Sequence, residues 1–462
     1  MPEPAPPPAR VFTSLAQMNS SRQFTRRRFL ATAGPALAAP FILPGCAVGG
    51  RDRLQPSDRI TLGFIGTGTQ GKALLRAFLP RPDVQVLAVC DVDANRRVHA
   101  QNLVAQLAPA AAASRCAAYN DFRDLLARSD IDGVVIATPD HWHALIAIAA
   151  AKAGKDIYCE KPMNHTIREG RAMVDAVRAH DRMLQVGSMQ RSMSQFRAAA
   201  ELIRNGLLGK VDRVEIALTG SAKGLPAVPC DLPAEKPEPG LDWDLWLGPA
   251  PRHPYNSILS PRGLHKGYPQ WRHYREYGGG GIADWGAHHL DIVHWAFDFD
   301  ASGPVEVLPA PEPEAVSGVR VRYATGLEVT HIPDGNGITF HGAAGKIFVS
   351  REKFQVWLEG KLKAKDVDAG PRLLKEALPA NAVRLYRSSN HLTDWLNSMR
   401  TRRLPLCDVE TGHRSATACN LMNLAYYHHE RIQWNPETEE FAGGAGNPAW
   451  LTREYRAPWR LG

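Results

Sequence analysis

With 462 residues, 44% of them hydrophobic, and a formal net charge of +8, the chain has an ordinary soluble composition and is long enough for two domains. The positive charge does not indicate nucleic acid. Residues 1–53 hold seven arginines against Glu3 and Asp52, a net of +5 that leaves only +3 for the remainder, and no Lys/Arg run interleaved with aromatics occurs there.

The chain begins with a segment read as targeting. "TRRRFLATAGPALAAPFILPGCA" carries the arginine pair Arg26-Arg27, then Phe29-Leu30 and a mildly apolar run to Leu43. That order fits a twin-arginine export signal, the alternative being a disordered arginine-rich tail. The run is too short for a transmembrane helix, so the expectation is a periplasmic or secreted protein with no integral membrane segment when mature. "LPGC" resembles a lipoprotein box with Cys46 as the lipidated residue, although Pro44 departs from the usual small residue. Met18 is an alternative start. Residues 1–53 are assigned to signal and linker. Seven cysteines occur with no CxxC pair, which points to neither a zinc ribbon nor a disulfide framework.

From residue 58 the pattern is strand, turn, helix. "RITLGFIGTGTQGKALLRAF" is an apolar strand, a glycine turn and a helix; "DVQVLAVCDVD" is a second strand ending in acid. "IDGVVIATPD", "GKDIYCEKP" and "RMLQVGSMQ" are further strands with helical stretches between them. Continuous apolar strands alternating with helices predict an α/β, doubly wound parallel sheet over residues 58–187. Beyond Phe196 the period changes. After a helix and a strand comes a Pro-rich loop, then alternating strands without helices between them, such as "GVRVRYATGLEVTHI" and "GITFHGAAGKIFVS". Residues 188–440 are therefore expected to form an α+β domain with a large, mostly antiparallel open sheet, followed by a C-terminal tail, 441–462.

Three stretches carry the chemistry. Gly66-Thr67-Gly68-Thr69-Gln70-Gly71 is a GxGxxG turn between a strand and a helix, and Asp91 ends the next strand twenty residues after Gly71. Gly66 permits the tight turn, Gly68 close approach of backbone to a pyrophosphate, and Gly71 close helix–strand packing; Asp91 is placed to accept ribose hydroxyls. A carboxylate there favours NAD over NADP, unless Arg96 or Arg97 reverses the preference. Two later strand ends present Thr138, Pro139 and His143, and Glu160, Lys161 and Pro162, on the edge where such sheets bind ligands. Lys161 is either a partnered functional group or a surface lysine at a turn. The stretch "GGGGIADWGAHHLDIVHWA", 278–296, reads as one helix on which Asp284, His288 and Asp291 share a stripe. That stripe fits catalytic groups, polar packing, or a metal set lacking a second imidazole on its face; no metal is assigned. Its glycines suit close approach to a ligand or a mobile opening, and Trp271 and Arg272 just before them suit a pocket wall.

Taken together, Gly66–Gly71, Asp91, the "ATPxxxH" of Ala137–His143, the "EKP" of Glu160–Pro162 and the "GGGGxxDWGAHHxD" of Gly278–Asp291 resemble the Gfo/Idh/MocA family, named for glucose–fructose oxidoreductase and inositol dehydrogenase. The resemblance spans nearly all of residues 58–440. It implies a Rossmann domain, an α/β domain whose open sheet mediates homo-oligomers, a catalytic set of Lys161, Asp284 and His288, and Gln190 near the cofactor. The long 221–271 loop varies across the family.

The physical roles agree. Oxidising a secondary alcohol removes a proton and a hydride. His288 is expected to be the base, an imidazole titrating near 6.5; Lys161 holds the substrate oxygen, and Asp284 binds a neighbouring hydroxyl or orients the imidazole. The expected function is an exported NAD(P)-dependent dehydrogenase acting on a sugar, glycoside or cyclitol hydroxyl. A redox-neutral glycosidase, lyase or epimerase working through a transient keto-sugar is the alternative, since free cofactor is scarce outside the cytoplasm. A non-catalytic sugar- or nucleotide-binding protein is the third reading.

Overall fold

The computed structural model describes residues 58–108, 116–218 and 226–461. The twin-arginine and Cys46 readings lie outside the described residues.

The first sheet is parallel and six-stranded. In chain order its elements are β1 (Ile60–Ile65), α1 (Thr69–Phe78), β2 (Val84–Cys90), α2 (Ala94–Leu107), β3 (Ala117–Tyr119), α3 (Phe122–Leu126), β4 (Gly133–Ile136), α4 (Asp140–Lys152), β5 (Asp156–Cys159), α5 (Ile167–Ala179) and β6 (Leu184–Val186). The strand order is β3-β2-β1-β4-β5-β6, so the direction of winding reverses between β1 and β4, and a crevice opens beyond their carboxyl ends. β4 and β5 are buried at every position, as expected for a sheet covered by helices on both faces. Helix α5 starts with a capping box in which Thr166 and Glu169 each satisfy the other's backbone amide.

The second half comprises α6 (Ser194–Arg204), β7 (Val211–Leu218), α7 (Trp243–Leu247), α8 (Gly280–Asp284), α9 (Gly286–Phe297), β8 (Glu306–Leu308), β9 (Arg320–Arg322), β10 (Glu328–Ile332), β11 (Asn336–Gly342), β12 (Gly345–Val349), β13 (Phe354–Leu358), β14 (Lys361–Ala364), α10 (Ala369–Ala377), α11 (His391–Thr401), α12 (Val409–His428), β15 (Ile432–Asn435) and β16 (Glu440–Phe441). The strands form one ten-stranded sheet, β14-β13-β12-β11-β7-β10-β9-β8-β15-β16. Every pairing in it is antiparallel except β7 with β10. Its inner face packs Val214, Ile216, Val329, Ile338 and Phe340 against α6, α9 and α12. The outer face carries Glu215, Thr330 and His341, the two-residue alternation of a sheet covered on one side.

Later segments return to the first sheet. Trp395 of α11 is fully buried, with its ring 5.9 Å from Phe78 and 5.7 Å from Tyr158. Residues 441–461, read from sequence as a tail, are packed in place. Trp459 stacks edge-on against Trp142 at 4.7 Å. Arg453 Nε and Tyr455 Oη donate to the buried Glu169 carboxylate at 2.8 and 2.7 Å. Scattered aromatics in a Pro- and Gly-containing stretch have no periodicity to betray such docking.

Candidate active site

A cavity of about 760 Å³ runs from the glycine turn to the start of α9. Its walls include Gly66, Gly68, Thr69, Gln70, Asp91, Thr138, Pro139, His143, Glu160 and Lys161 from the first half, and Trp271, Arg272, Asp284 and His288 from the second.

The glycine turn suits a dinucleotide. Gly66 has φ +86°, and a side chain there would strike the Ala137 carbonyl at 2.6 Å. A Cβ on Gly71 would lie 2.0 Å from the Gly66 oxygen, which is why the helix can sit so close to the strand; a Cβ on Gly68 would meet nothing within 4 Å, so the space above it is cavity. No side chain caps α1, which leaves its first amides to a ligand phosphate. Gly71 itself does not line the cavity.

Asp91 lines the cavity, but its oxygens also accept from the Thr67 amide (2.7 Å), the Thr67 hydroxyl (3.1 Å) and the Asp93 amide (3.0 Å). A carboxylate with this local scaffold is pre-oriented and keeps lone pairs for a ribose. Of the two nearby arginines, Arg96 lines the cavity and Arg97 does not, and both are engaged by protein groups. Arg97 Nη1 donates to the Asp91 carbonyl and Asn120 Oδ1, at 2.5 and 2.6 Å. Arg96 is held by Asp93, Ser260 and the Pro261 carbonyl.

The second strand end is organised by His143. Nδ1 lies 2.8 Å from the Pro162 carbonyl and Nε2 3.0 Å from the Thr138 carbonyl, joining the two loops that the sequence places side by side. Burial lowers its pKa to about 4, and a neutral ring donates to one of these carbonyls at a time. Thr138 Oγ1 is buried with no protein partner, available to a ligand. Gln70 bridges Glu160 (2.7 Å) and Tyr268 (3.0 Å). Gln190 departs from expectation: it is fully buried, does not line the cavity, and both of its amide atoms lack a partner.

Lys161 has the partner its burial demands. Nζ forms an ion pair with Asp284 Oδ1 and donates to the Asp284 carbonyl at 3.2 Å. Arg272 Nε approaches the same carboxylate at 3.8 Å, with its guanidinium 4.0 Å from the Trp271 ring centre. The helix read as continuous is two, broken at Trp285 between α8 and α9, and its stripe divides. Asp284 and His288 face the cavity. Asp291, nearly one turn further along α9, instead pairs with the buried Arg191 at 2.8 Å. His294 meets the Tyr323 hydroxyl at 2.9 Å, and His289 is a core residue with its pKa lowered to about 3 by burial. Among the glycines ahead of α8, Gly279 allows close packing, since a Cβ there would strike Ala283 at 2.6 Å and Asn423 at 2.8 Å, while a Cβ on Gly278 would crowd Arg272, Asp140 and Trp271 at 3.1 Å.

His288 also differs from a free imidazole. Burial first, then Lys161 and Arg351, hold its pKa well below 6.5, and Nδ1 is buried without a partner. It therefore stays neutral through the working range. Three further groups escaped sequence reading. Asp140 begins α4 and lines the cavity, where burial pushes its carboxyl up to about 8 against the pull of Arg272. Tyr268 and Arg351 come from a loop and a strand turn with no motif to mark them. Asp140 alone had a signal, an acid directly after the Thr138-Pro139 strand end.

Residues 60–188 match the profile described as "Oxidoreductase family, NAD-binding Rossmann fold", and residues 194–461 the profile "Oxidoreductase family, C-terminal alpha/beta domain". Among curated relatives, a glycosyl hydrolase family 109 protein of Saccharopolyspora erythraea is 32% identical over 33% of this chain and 34% of its own length. A levoglucosan dehydrogenase of Pseudarthrobacter phenanthrenivorans is 36% identical over 33% of this chain and 39% of its own. The chain thus matches between about a third and two fifths of these relatives. A solved levoglucosan dehydrogenase, in complex with NADH and levoglucosan, aligns with TM-score 0.54 at 18% identity, covering 81% of this chain and 99% of that one; this is a likeness of fold. Both profiles, laid end to end over residues 60–461, make the chain a member of the Gfo/Idh/MocA oxidoreductase family with an NAD-binding Rossmann domain.

Proposed function

We propose that this protein is an NAD-dependent dehydrogenase acting on a secondary hydroxyl of a sugar, glycoside or cyclitol. The observation that carries the reading is convergence: Lys161 from the first sheet and Asp284 and His288 from α8 and α9 line one cavity that continues to Gly66, Gly68 and Asp91. The levoglucosan dehydrogenase relative supports the substrate class. Gly66, Gly68, Gln70, Asp91 and Thr138 would hold the dinucleotide, which when bound supplies the hydride acceptor. Lys161 donates to the substrate oxygen and stabilises charge developing on it. Asp284 keeps the ammonium aimed. His288 takes the hydroxyl proton and, with Lys161 and Arg351 nearby, releases it quickly. This role rests on its neutrality, in place of the titration near 6.5 expected from sequence.

The test is purified protein with NAD and a panel of sugars, glycosides and inositols, following NADH absorbance. Turnover abolished in Lys161→Ala and His288→Ala variants that still bind NAD supports the reading; binding without turnover in the wild type leaves only a binding protein.

One observation favours the redox-neutral alternative as a variant of the same chemistry. The loop at 263–269 crosses the glycine turn, with Thr69 Oγ1 donating to the Gly267 carbonyl (2.8 Å), Lys72 Nζ to the His265 carbonyl (3.1 Å) and Tyr268 Oη to Gln70 (3.0 Å). A strap there slows cofactor exchange and favours returning the hydride to the same substrate. Product release without NADH accumulation distinguishes the two. Export through residues 1–53 and self-association through the outer face of the ten-stranded sheet belong to the same proposal. A reporter fusion and sedimentation analysis test them. No helix among the described residues is long and apolar enough to cross a membrane.

A further inference from the structure

Arg351 sits in the turn between β12 and β13, and the turn is firmly built. Ser350 Oγ accepts from the amides of Glu352 (3.2 Å) and Lys353 (3.0 Å), the Ser350 amide donates to the Lys353 carbonyl (2.8 Å), and Gln195 Nε2 donates to the Arg351 carbonyl (3.0 Å). This places the side chain in the cavity with Lys161, Asp284, Trp285 and His288, its guanidinium 4.7 Å from the Trp285 ring centre. Its Nε is buried with no hydrogen-bond partner.

The charges around it are uneven. Of the other cations on the cavity wall, Lys161 and Arg272 share Asp284, and Arg96 holds Asp93. Arg351 forms no ion pair among the described residues. Its neighbour Glu352 accepts from Ser350 Oγ at 3.2 Å. Two other carboxyls on the wall, Asp140 and Glu160, are pushed upward by burial, so they offer less negative charge than a count of acids suggests. A half-buried guanidinium is costly without a partner, and planar, bidentate recognition of a carboxylate is what the group does best. Lys161 and Arg272 have one carboxylate between them, so positive charge is in excess at this end of the cavity, and the planar guanidinium of Arg351 matches the two oxygens of a carboxylate.

We propose that Arg351 determines specificity at this site by binding a carboxylate of the substrate, so that the preferred substrates are acidic sugars of the uronate or aldonate class rather than neutral ones. This rests on the dehydrogenase reading above for the placing of the reactive hydroxyl, but not for the carboxylate subsite itself.

The test titrates NAD-loaded protein with D-glucuronate and D-galacturonate and with their neutral twins, D-glucose and D-galactose. Binding is read by tryptophan fluorescence, since Trp271 and Trp285 line the cavity, and turnover separately by NADH absorbance. In the wild type a uronate binds about tenfold or more tightly than its neutral twin. In Arg351→Gln that ratio falls to about one, and Arg351→Lys recovers part of it. NAD affinity, measured alongside, reports folding. Equal binding of acid and neutral sugars by the wild type, an unchanged ratio in Arg351→Gln, or a loss of NAD rather than of uronate binding overturns the proposal. Arg351-dependent uronate binding with no NADH formed upholds the subsite and counts against the dehydrogenase; oxidation of neutral sugars with uronates ignored does the reverse.

Discussion

Lys161 and Asp284 meet across the junction of the two sheets, the ammonium held by both a side-chain and a main-chain oxygen of the aspartate. Asp284→Asn keeps the shape and removes the charge that balances Lys161 and Arg272. The expected result is a fall in kcat of roughly 10²–10³-fold, with NAD affinity nearly unchanged because Asp284 lies beyond the glycine turn. Steady-state kinetics beside calorimetric NAD titration check this; a wild-type kcat would remove Asp284 from the chemistry.

Two glycines of one motif should fail differently. Gly68→Ala points a methyl into open cavity, so the protein should melt within about 0.5 kcal/mol of wild type while NAD binding drops at least about tenfold. Gly71→Ala drives a methyl into the Gly66 carbonyl at 2.0 Å and should cost about 2–4 kcal/mol of stability. Thermal melts with and without NAD separate the two.

Asp140 provides a pH signature. Its carboxyl keeps its proton to about 8 in the folded protein and to about 4 when unfolded. Between those values the folded state binds more protons, so stability falls as pH rises from about 4 to 8, by up to ~1.4 kcal/mol per pH unit. Asp140→Asn should flatten that slope. Equal stability of the wild type at pH 5 and pH 7, measured relative to Asp140→Asn, would show that the group is not held protonated.

His143→Phe keeps the bulk but removes the link between the Thr138 and Pro162 carbonyls. A loss of about 1–3 kcal/mol is expected, together with weaker NAD binding because both loops line the cavity. Chemical denaturation and NAD titration read the two effects. Weaker catalysis with unchanged stability would instead make the imidazole a reacting group.

Tyr268→Phe cuts the strap's bond to Gln70. NAD should leave several-fold faster, as one neutral hydrogen bond at a closed edge is worth about 1 kcal/mol. Stopped-flow displacement of NAD measures this, and an unaltered off-rate would show that the loop does not hold the cofactor.

What the sequence determined alone was what depends on neighbours in the chain. Apolar runs of strand length alternating with helices specify the parallel sheet, a change to two-residue alternation marks the second sheet, and the glycine spacing marks the dinucleotide turn, because each is a local consequence of backbone geometry. Lys161, Asp284 and His288 stood out as polar groups at strand and helix ends. Tertiary structure decided the rest. A helix break at Trp285 sent Asp284 and His288 into the cavity while Arg191 drew Asp291 away, and burial, which no single stretch encodes, moved His288 down and Asp140 up. Gln190 lies buried off the wall, and Arg351, Tyr268 and residues 441–461 reached the first half from positions distant in the chain. Contacts of that kind are set by how sheets and loops close on one another, and a one-dimensional pattern carries no record of which side chain faces which.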